Sequence, residues 1–167
     1  IFVSTRYIVH CLKRRHNLNS GDTCFVLISA AFVMLMTPGL AMFYDGLGRR
    51  KNVINNMMSS YFIMGVAMVM WILFGYSLAF GTDHGGVIGG LNYVLFRGVG
   101  AEAGPYAATI PHLAFAMFQM MFAVITPALI TGAIAGRMRF KALFFFVIFW
   151  MIVVYYPIAH MVWGQNG

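Results

Sequence analysis

Long stretches without charge constrain this chain more than any other feature. Residues 23–44, 52–82, 103–136 and 142–167 contain no Asp, Glu, Lys or Arg. A helix needs roughly 20 apolar residues to cross the hydrocarbon core of a bilayer. Each stretch is long enough to cross once, and none is long enough to cross twice. The reading is four transmembrane helices, at about 24–44, 57–80, 111–135 and 142–163. With 61% hydrophobic and 9% charged residues, the chain departs widely from soluble domains, which are about 25% charged. The fold class expected is all-α, a polytopic transmembrane helical bundle.

Charge then speaks about orientation. The formal net charge is +7. In a membrane chain that excess bears on topology before nucleic acid, and no nucleic-acid partner is expected. The first connection holds Arg49, Arg50 and Lys51, and the third holds Arg137, Arg139 and Lys141. The second, about 81–110, has only Arg97, with Asp83 and Glu102. Lys and Arg accumulate in cytoplasmic loops because they resist translocation. The first and third loops therefore face the cytoplasm, and both chain ends lie outside. Residues 1–20 run against this, with Arg6, Lys13, Arg14, Arg15 and His16 on the expected outer side. Two readings stand for this atypical basic segment: a targeting leader, or a non-native start. It is set apart from the rest of the chain, 21–167.

Within the spans, Pro38 and Pro127 each remove a backbone donor and are expected to kink their helices. In a bilayer the freed carbonyls must be satisfied by neighbours, which implies a packed bundle. Gly132 and Gly136 have GxxxG spacing, fitting either a close helix crossing or a loop. Phe115, Phe118 and Phe122 are three and four residues apart and share one face of span three, beside Gln119. The stripe is lipid-facing, core packing or an aromatic-lined path. Aromatic faces attract cations by about 0.5–2 kcal/mol. Trp163 ends span four, as an interfacial belt residue or as part of such a path.

Other chemistry is sparse. The second loop carries Gly81, Gly85, Gly86, Gly89, Gly90, Gly98, Gly100 and Gly104. No Gly-Lys-Ser/Thr follows to make a phosphate cradle, so a flexible external loop with tight turns is expected. None of His10, His16, His84, His112 and His160 is spaced for a metal site, and no carboxylate is spaced to assist them. Cys11 and Cys24 fit neither a disulfide framework nor a zinc pattern. No cofactor, metal or catalytic residue is expected. The middle of every span lacks a charged residue, so the chain by itself offers no ionisable relay.

Eight ordered strings carry a family resemblance. They are Gly21-Asp22-Thr23; Val26-Leu27-Ile28-Ser29-Ala30-Ala31; Met36-Thr37-Pro38-Gly39-Leu40-Ala41; and Phe43-Tyr44-Asp45-Gly46-Leu47 with Arg49-Arg50-Lys51-Asn52-Val53. They continue with Gly75-Tyr76-Ser77-Leu78-Ala79-Phe80-Gly81; Phe118-Gln119-Met120-Met121-Phe122-Ala123; Gly132-Ala133-Ile134-Ala135-Gly136-Arg137-Met138-Arg139-Phe140; and Ala159-His160-Met161-Val162-Trp163-Gly164. In this order the chain from about Asn19 to Gly167 resembles the first half of the ammonium transporter family (Amt/Mep/Rh).

The resemblance implies an eleven-helix fold of two inverted five-helix halves, of which this chain is an N-terminal fragment carrying the first four helices. It implies homotrimers with one pore per subunit, an N-terminus outside, and a transporter rather than an enzyme. The implied substrate is ammonium or ammonia, and a cytoplasmic nitrogen-signalling regulator is an implied partner. Phe118 and Trp163 match the aromatic residues of the family's outer ammonium recruitment site, and Phe122 matches the outer ring of its phenylalanine gate. The family's pore histidines and its aspartate lie further on than Gly167. The fragment by itself is therefore expected not to conduct. Asp45 stands where the family has glycine, and Gly136 where it has glutamate. Two alternatives remain open: an ammonium-sensing receptor of the same fold, and a non-conducting truncated piece.

Overall fold

The computed structural model describes residues 18–46, 53–134 and 138–165. The readings that fall on the basic N-terminal segment, Arg49 to Lys51, Gly136 and Arg137, and the side chain of Asp45, lie outside the described residues. Among the described residues four helices are long and apolar enough to cross a membrane: Ser20–Tyr44, Asn56–Phe80, His112–Ile134 and Phe140–Trp163. They match the four expected spans closely. The first begins about a turn early because Asn19 caps it. Its side-chain Oδ1 accepts from the Gly21 amide at 2.8 Å, and its carbonyl accepts from Thr23 at 3.0 Å. A short polar side chain satisfies amide donors that a helix start leaves unpaired.

Span three packs against spans one and two, and span four packs against span two. One end of the bundle collects the start of the described chain, the 81–111 connection and the end of the fourth helix. There the Asn19 amide donates to Thr109 O at 2.8 Å, and Gln165 Nε2 donates to Pro105 O at 3.0 Å. At the opposite end Phe62 meets Phe140 edge-on, with centroids 5.0 Å apart. A Cβ on Gly132 would lie 2.5 Å from the Tyr44 ring. Gly132 thus belongs to a close crossing of spans one and three, the packing reading of its GxxxG spacing. The even and odd connections fall at opposite ends, as four successive crossings require.

The helices run unbroken through Pro38 and Pro127. The departures from α geometry lie elsewhere, in two single π-turns. Trp71–Gly75 interrupts span two, and Met151–Tyr155 interrupts span four. A π-turn inserts a residue into the i→i−4 ladder and redirects the side chains beyond it. Here both turns are followed by a tyrosine, Tyr76 and Tyr156, each fully buried. Tyr156 lies over Gly75: a Cβ there would sit 2.6 Å from its hydroxyl and 2.7–2.8 Å from ring carbons.

Glycine also shapes the 81–111 connection, which is closed down on the helix ends. Asp83–His84 pairs antiparallel with Ile88–Gly89. Gly85 and Gly86 make the turn with φ of 76° and 73°, a left-handed conformation cheap only for glycine. A Cβ on Gly89 would lie 2.7 Å from Ser77 O and 2.8 Å from Leu78 O. This hairpin can therefore rest directly on the end of span two. The Ser77 hydroxyl completes the seam, donating to Gly90 O at 2.8 Å and accepting from the Tyr93 amide at 2.9 Å.

Gly75→Ala should force the Tyr156 ring out of place and cost about 1–3 kcal/mol, the usual range for overpacking. Gly65→Ala, where nothing lies within 4 Å of the added carbon, should leave stability within about 0.5 kcal/mol. Thermal unfolding in detergent checks the pair. Equal midpoints for both variants would contradict the close approach.

Candidate functional site: an aromatic end of the bundle

Trp71 is the centre of the buried aromatic cluster. It is 1% exposed, and its Nε1 donates to Ala116 O of span three at 3.2 Å. Its ring meets Tyr155 and Tyr156 of span four at 6.5 and 6.1 Å, and Tyr76 and Phe80 of its own span at 5.8 and 6.2 Å. One indole thereby ties three spans together. A buried indole N–H needs such an acceptor, since an unpaired donor in the bundle would be costly.

Above it lies a second group of rings formed with the 81–111 connection. Phe80 meets Tyr106 and Phe115 edge-on at 5.0 and 5.3 Å, and Tyr106 stacks on Phe115 at 5.6 Å. The Tyr106 hydroxyl donates to Phe80 O at 2.9 Å. The Tyr76 hydroxyl is hydrogen-bonded to His112 Nε2. The expected phenylalanine stripe therefore divides. Phe115 is taken into this packing group, and Phe118 pairs with Phe122 instead. Their centroids are 5.1 Å apart and their planes 81° apart, an edge-to-face contact. Both rings are half-buried, as is Gln119 between them. The Phe122 carbonyl accepts from Thr126 Oγ1 at 2.6 Å.

Trp163 is the last helical residue of span four. It is 49% exposed, and among the described residues it has no ring partner. The structure thus brings Phe118 and Phe122 together on span three and stands Trp163 apart at the 81–111 end of span four. Gly164 caps the helix with its amide on His160 O at 2.7 Å. A Cβ on Gly164 would lie 2.8 Å from His160 Nδ1, so glycine lets the chain leave close over that imidazole.

The structure corrects the sequence reading of His160. A carboxylate does assist it: His160 Nε2 lies 3.2 Å from Asp83 Oδ1, across 77 positions of sequence. Its other nitrogen, Nδ1, lies 3.0 Å from Ala79 O. The same Asp83 oxygen accepts the Gly86 amide at 2.7 Å. Sequence spacing could not reveal a contact made by folding a loop onto a helix two spans away. The one available signal was the Gly-Gly turn beside Asp83, which aims the carboxylate back at the bundle. The His160 hydrogen bond, then the Gly86 amide, hold the Asp83 carboxyl below its usual 3.8.

The helical packing and the apolar spans define a polytopic α-helical membrane protein with an aromatic-rich cluster at one end. Comparison with known proteins places it further. The sequence profile of the Ammonium Transporter Family matches residues 24–167. The chain is 48% identical over 147 residues to an ammonium transporter of Bacillus subtilis (strain 168), covering 88% of this chain and 36% of that protein. It is 42% identical over 147 residues to the ammonium transporter Amt1 of Archaeoglobus fulgidus, covering 88% of this chain and 35% of the relative. The crystal structure of Mep2 from Saccharomyces cerevisiae superposes with a TM-score of 0.79 at 33% identity, covering 90% of this chain and 34% of that one. Candida albicans Mep2 gives 0.80 at 30% identity, covering 91% and 33%. The chain belongs to the ammonium transporter family. It spans about a third of the length of the curated relatives it matches.

Because the folded Asp83 carboxyl titrates below its unfolded value, its stabilisation is fully present above about pH 4. It is lost as pH falls through the lower folded value. Asp83→Ala should therefore flatten the decline of the unfolding midpoint as pH falls below about 4. Parallel curves for wild type and variant would remove the pair from the stability account.

Proposed function

We propose that this chain supplies the outer portion of an ammonium transport path. In this reading Phe118 and Trp163 recruit ammonium, and Phe122 is the outer ring of the gate beneath. The observation that carries it is the edge-to-face pair of half-buried rings at Phe118 and Phe122, aligned along span three. Family membership and the position of Trp163 beside the 81–111 connection support it.

The physical logic is a division of labour. A ring face offers a cation about 0.5–2 kcal/mol, enough to favour ammonium over neutral water at the mouth. A charge at the bilayer centre costs several kcal/mol even by the lower estimates. Rings therefore suffice for recruitment and not for carriage of an intact ion through the apolar spans. Passage as ammonia, with the proton handled by groups outside this chain, resolves that mismatch. The orientation with Asn19 and the 81–111 connection outside is supported by the basic first and third connections. A homotrimer and a cytoplasmic nitrogen-signalling regulator rest on the family resemblance alone.

Uptake of labelled methylammonium by cells expressing the full-length gene product tests the proposal. Trp163→Leu should raise the apparent KM about two- to fivefold, the loss of about 0.5–1 kcal/mol from a half-exposed ring. Phe122→Ala should change the maximal rate more than the KM. If both variants alter only the amount of protein in the membrane, the rings serve packing and not transport. Uptake absent from the wild type would favour a sensor or a non-conducting piece.

A further inference from the structure

His160 is fully buried, yet an oxygen faces each of its ring nitrogens: Ala79 O at 3.0 Å from Nδ1 and Asp83 Oδ1 at 3.2 Å from Nε2. A neutral imidazole has one N–H and can serve one acceptor. Asp83 makes the only carboxylate contact of the ring among the described residues, so the imidazole is held from both edges. The pair joins three elements. Ala79 lies at the end of span two, Asp83 in the hairpin above it, and His160 one turn before the end of span four. The chain leaves span four directly over the imidazole at Gly164, and Gln165 is fastened to Pro105. Trp163 thus has fixed points on both sides, at positions 160 and 165, and no ring partner among the described residues to fix it otherwise.

We propose that His160, clasped between the Ala79 carbonyl and the Asp83 carboxylate, is a positioning residue that sets where the Trp163 ring stands at the mouth. The inference rests on the reading of Trp163 as an ammonium-recruiting ring. Asp83 acts through His160, and neither touches the substrate. The low-lying titration of Asp83 agrees, since it keeps the carboxylate available over the whole working range. The glycine turn takes part in the clasp: Gly86 donates to the same oxygen and holds it toward span four.

The test is fluorine NMR of the full-length gene product labelled with 5-fluorotryptophan in detergent. The Trp163 line is assigned by its loss in Trp163→Phe. In His160→Ala and in Asp83→Ala the Trp163 line should shift or broaden while the other tryptophan lines hold. Asp83→Asn should restore it, because the asparagine amide can donate to Nε2 while a neutral ring donates from Nδ1 to Ala79. Methylammonium uptake gives the second readout. His160→Ala and Asp83→Ala should raise the KM about two- to fivefold, and should add nothing further in a Trp163→Leu background. Should His160→Ala fail to insert, Asp83→Ala on the loop carries the test. A Trp163 line unmoved in Asp83→Ala, or tryptophan lines that all move together, overturns the proposal. So does a KM effect additive with Trp163→Leu. Lack of uptake by the wild type would sink the transport reading, whereas the Trp163 line still reports on the clasp.

Discussion

The indole of Trp71 is the contact on which this bundle depends. Spans three and four both pack against span two, and Trp71 reaches both: a hydrogen bond to Ala116 O and ring contacts to Tyr155 and Tyr156. Water is absent from the hydrocarbon region, so apolar burial alone gives helices little reason to associate. Close packing and a satisfied polar atom must hold them, and Trp71 provides both in one side chain. Its reach depends on the π-turn it begins, which turns the following residues, Tyr76 and Phe80, toward the same cluster.

The second device is close approach through glycine. Gly75 admits Tyr156, Gly132 admits Tyr44, and Gly89 lets the hairpin settle on span two. In each case the neighbour occupies the place a side chain would fill. At Gly75 and Gly132 large rings meet bare backbone, and this lets an aromatic-rich bundle pack closely. The same device works at the exit of span four, where Gly164 lies over His160. The position of the aromatic end is therefore an outcome of the core below it. The ring cluster aligns the spans, the hairpin closes their ends, and the His160–Asp83 contact joins hairpin to span four.

Much of this was legible in the sequence. Spans of about 20 residues bounded by charge announce themselves, because a charged group in hydrocarbon is expensive and hydrogen bonds within a helix are local. Pro38 and Pro127 both sit inside continuous helices, whereas the π-turns fall at Trp71–Gly75 and Met151–Tyr155. No single residue type marks a π-turn, so periodicity passes over it. The stripe of Phe115, Phe118 and Phe122 was right as a helical face. Its division into Phe115, packed with Phe80 and Tyr106, and the half-buried pair Phe118 and Phe122 depends on rings that arrive from elsewhere in the chain. The contacts of His112 with Tyr76 and of His160 with Asp83 span 36 and 77 positions. Only the fold brings such pairs together. Phe118, Phe122 and Trp163 were singled out by resemblance alone, since nothing in their spacing distinguishes a recruiting ring from a belt ring.

The central claim is that rings on spans three and four share one small cation before it meets the apolar interior. A crystal structure of the full-length gene product grown with methylammonium tests it directly. The account expects density for the cation between Phe118 and Trp163, within about 6 Å of both ring centroids. Rings turned apart toward lipid, with the cation held elsewhere or by neither, would contradict it.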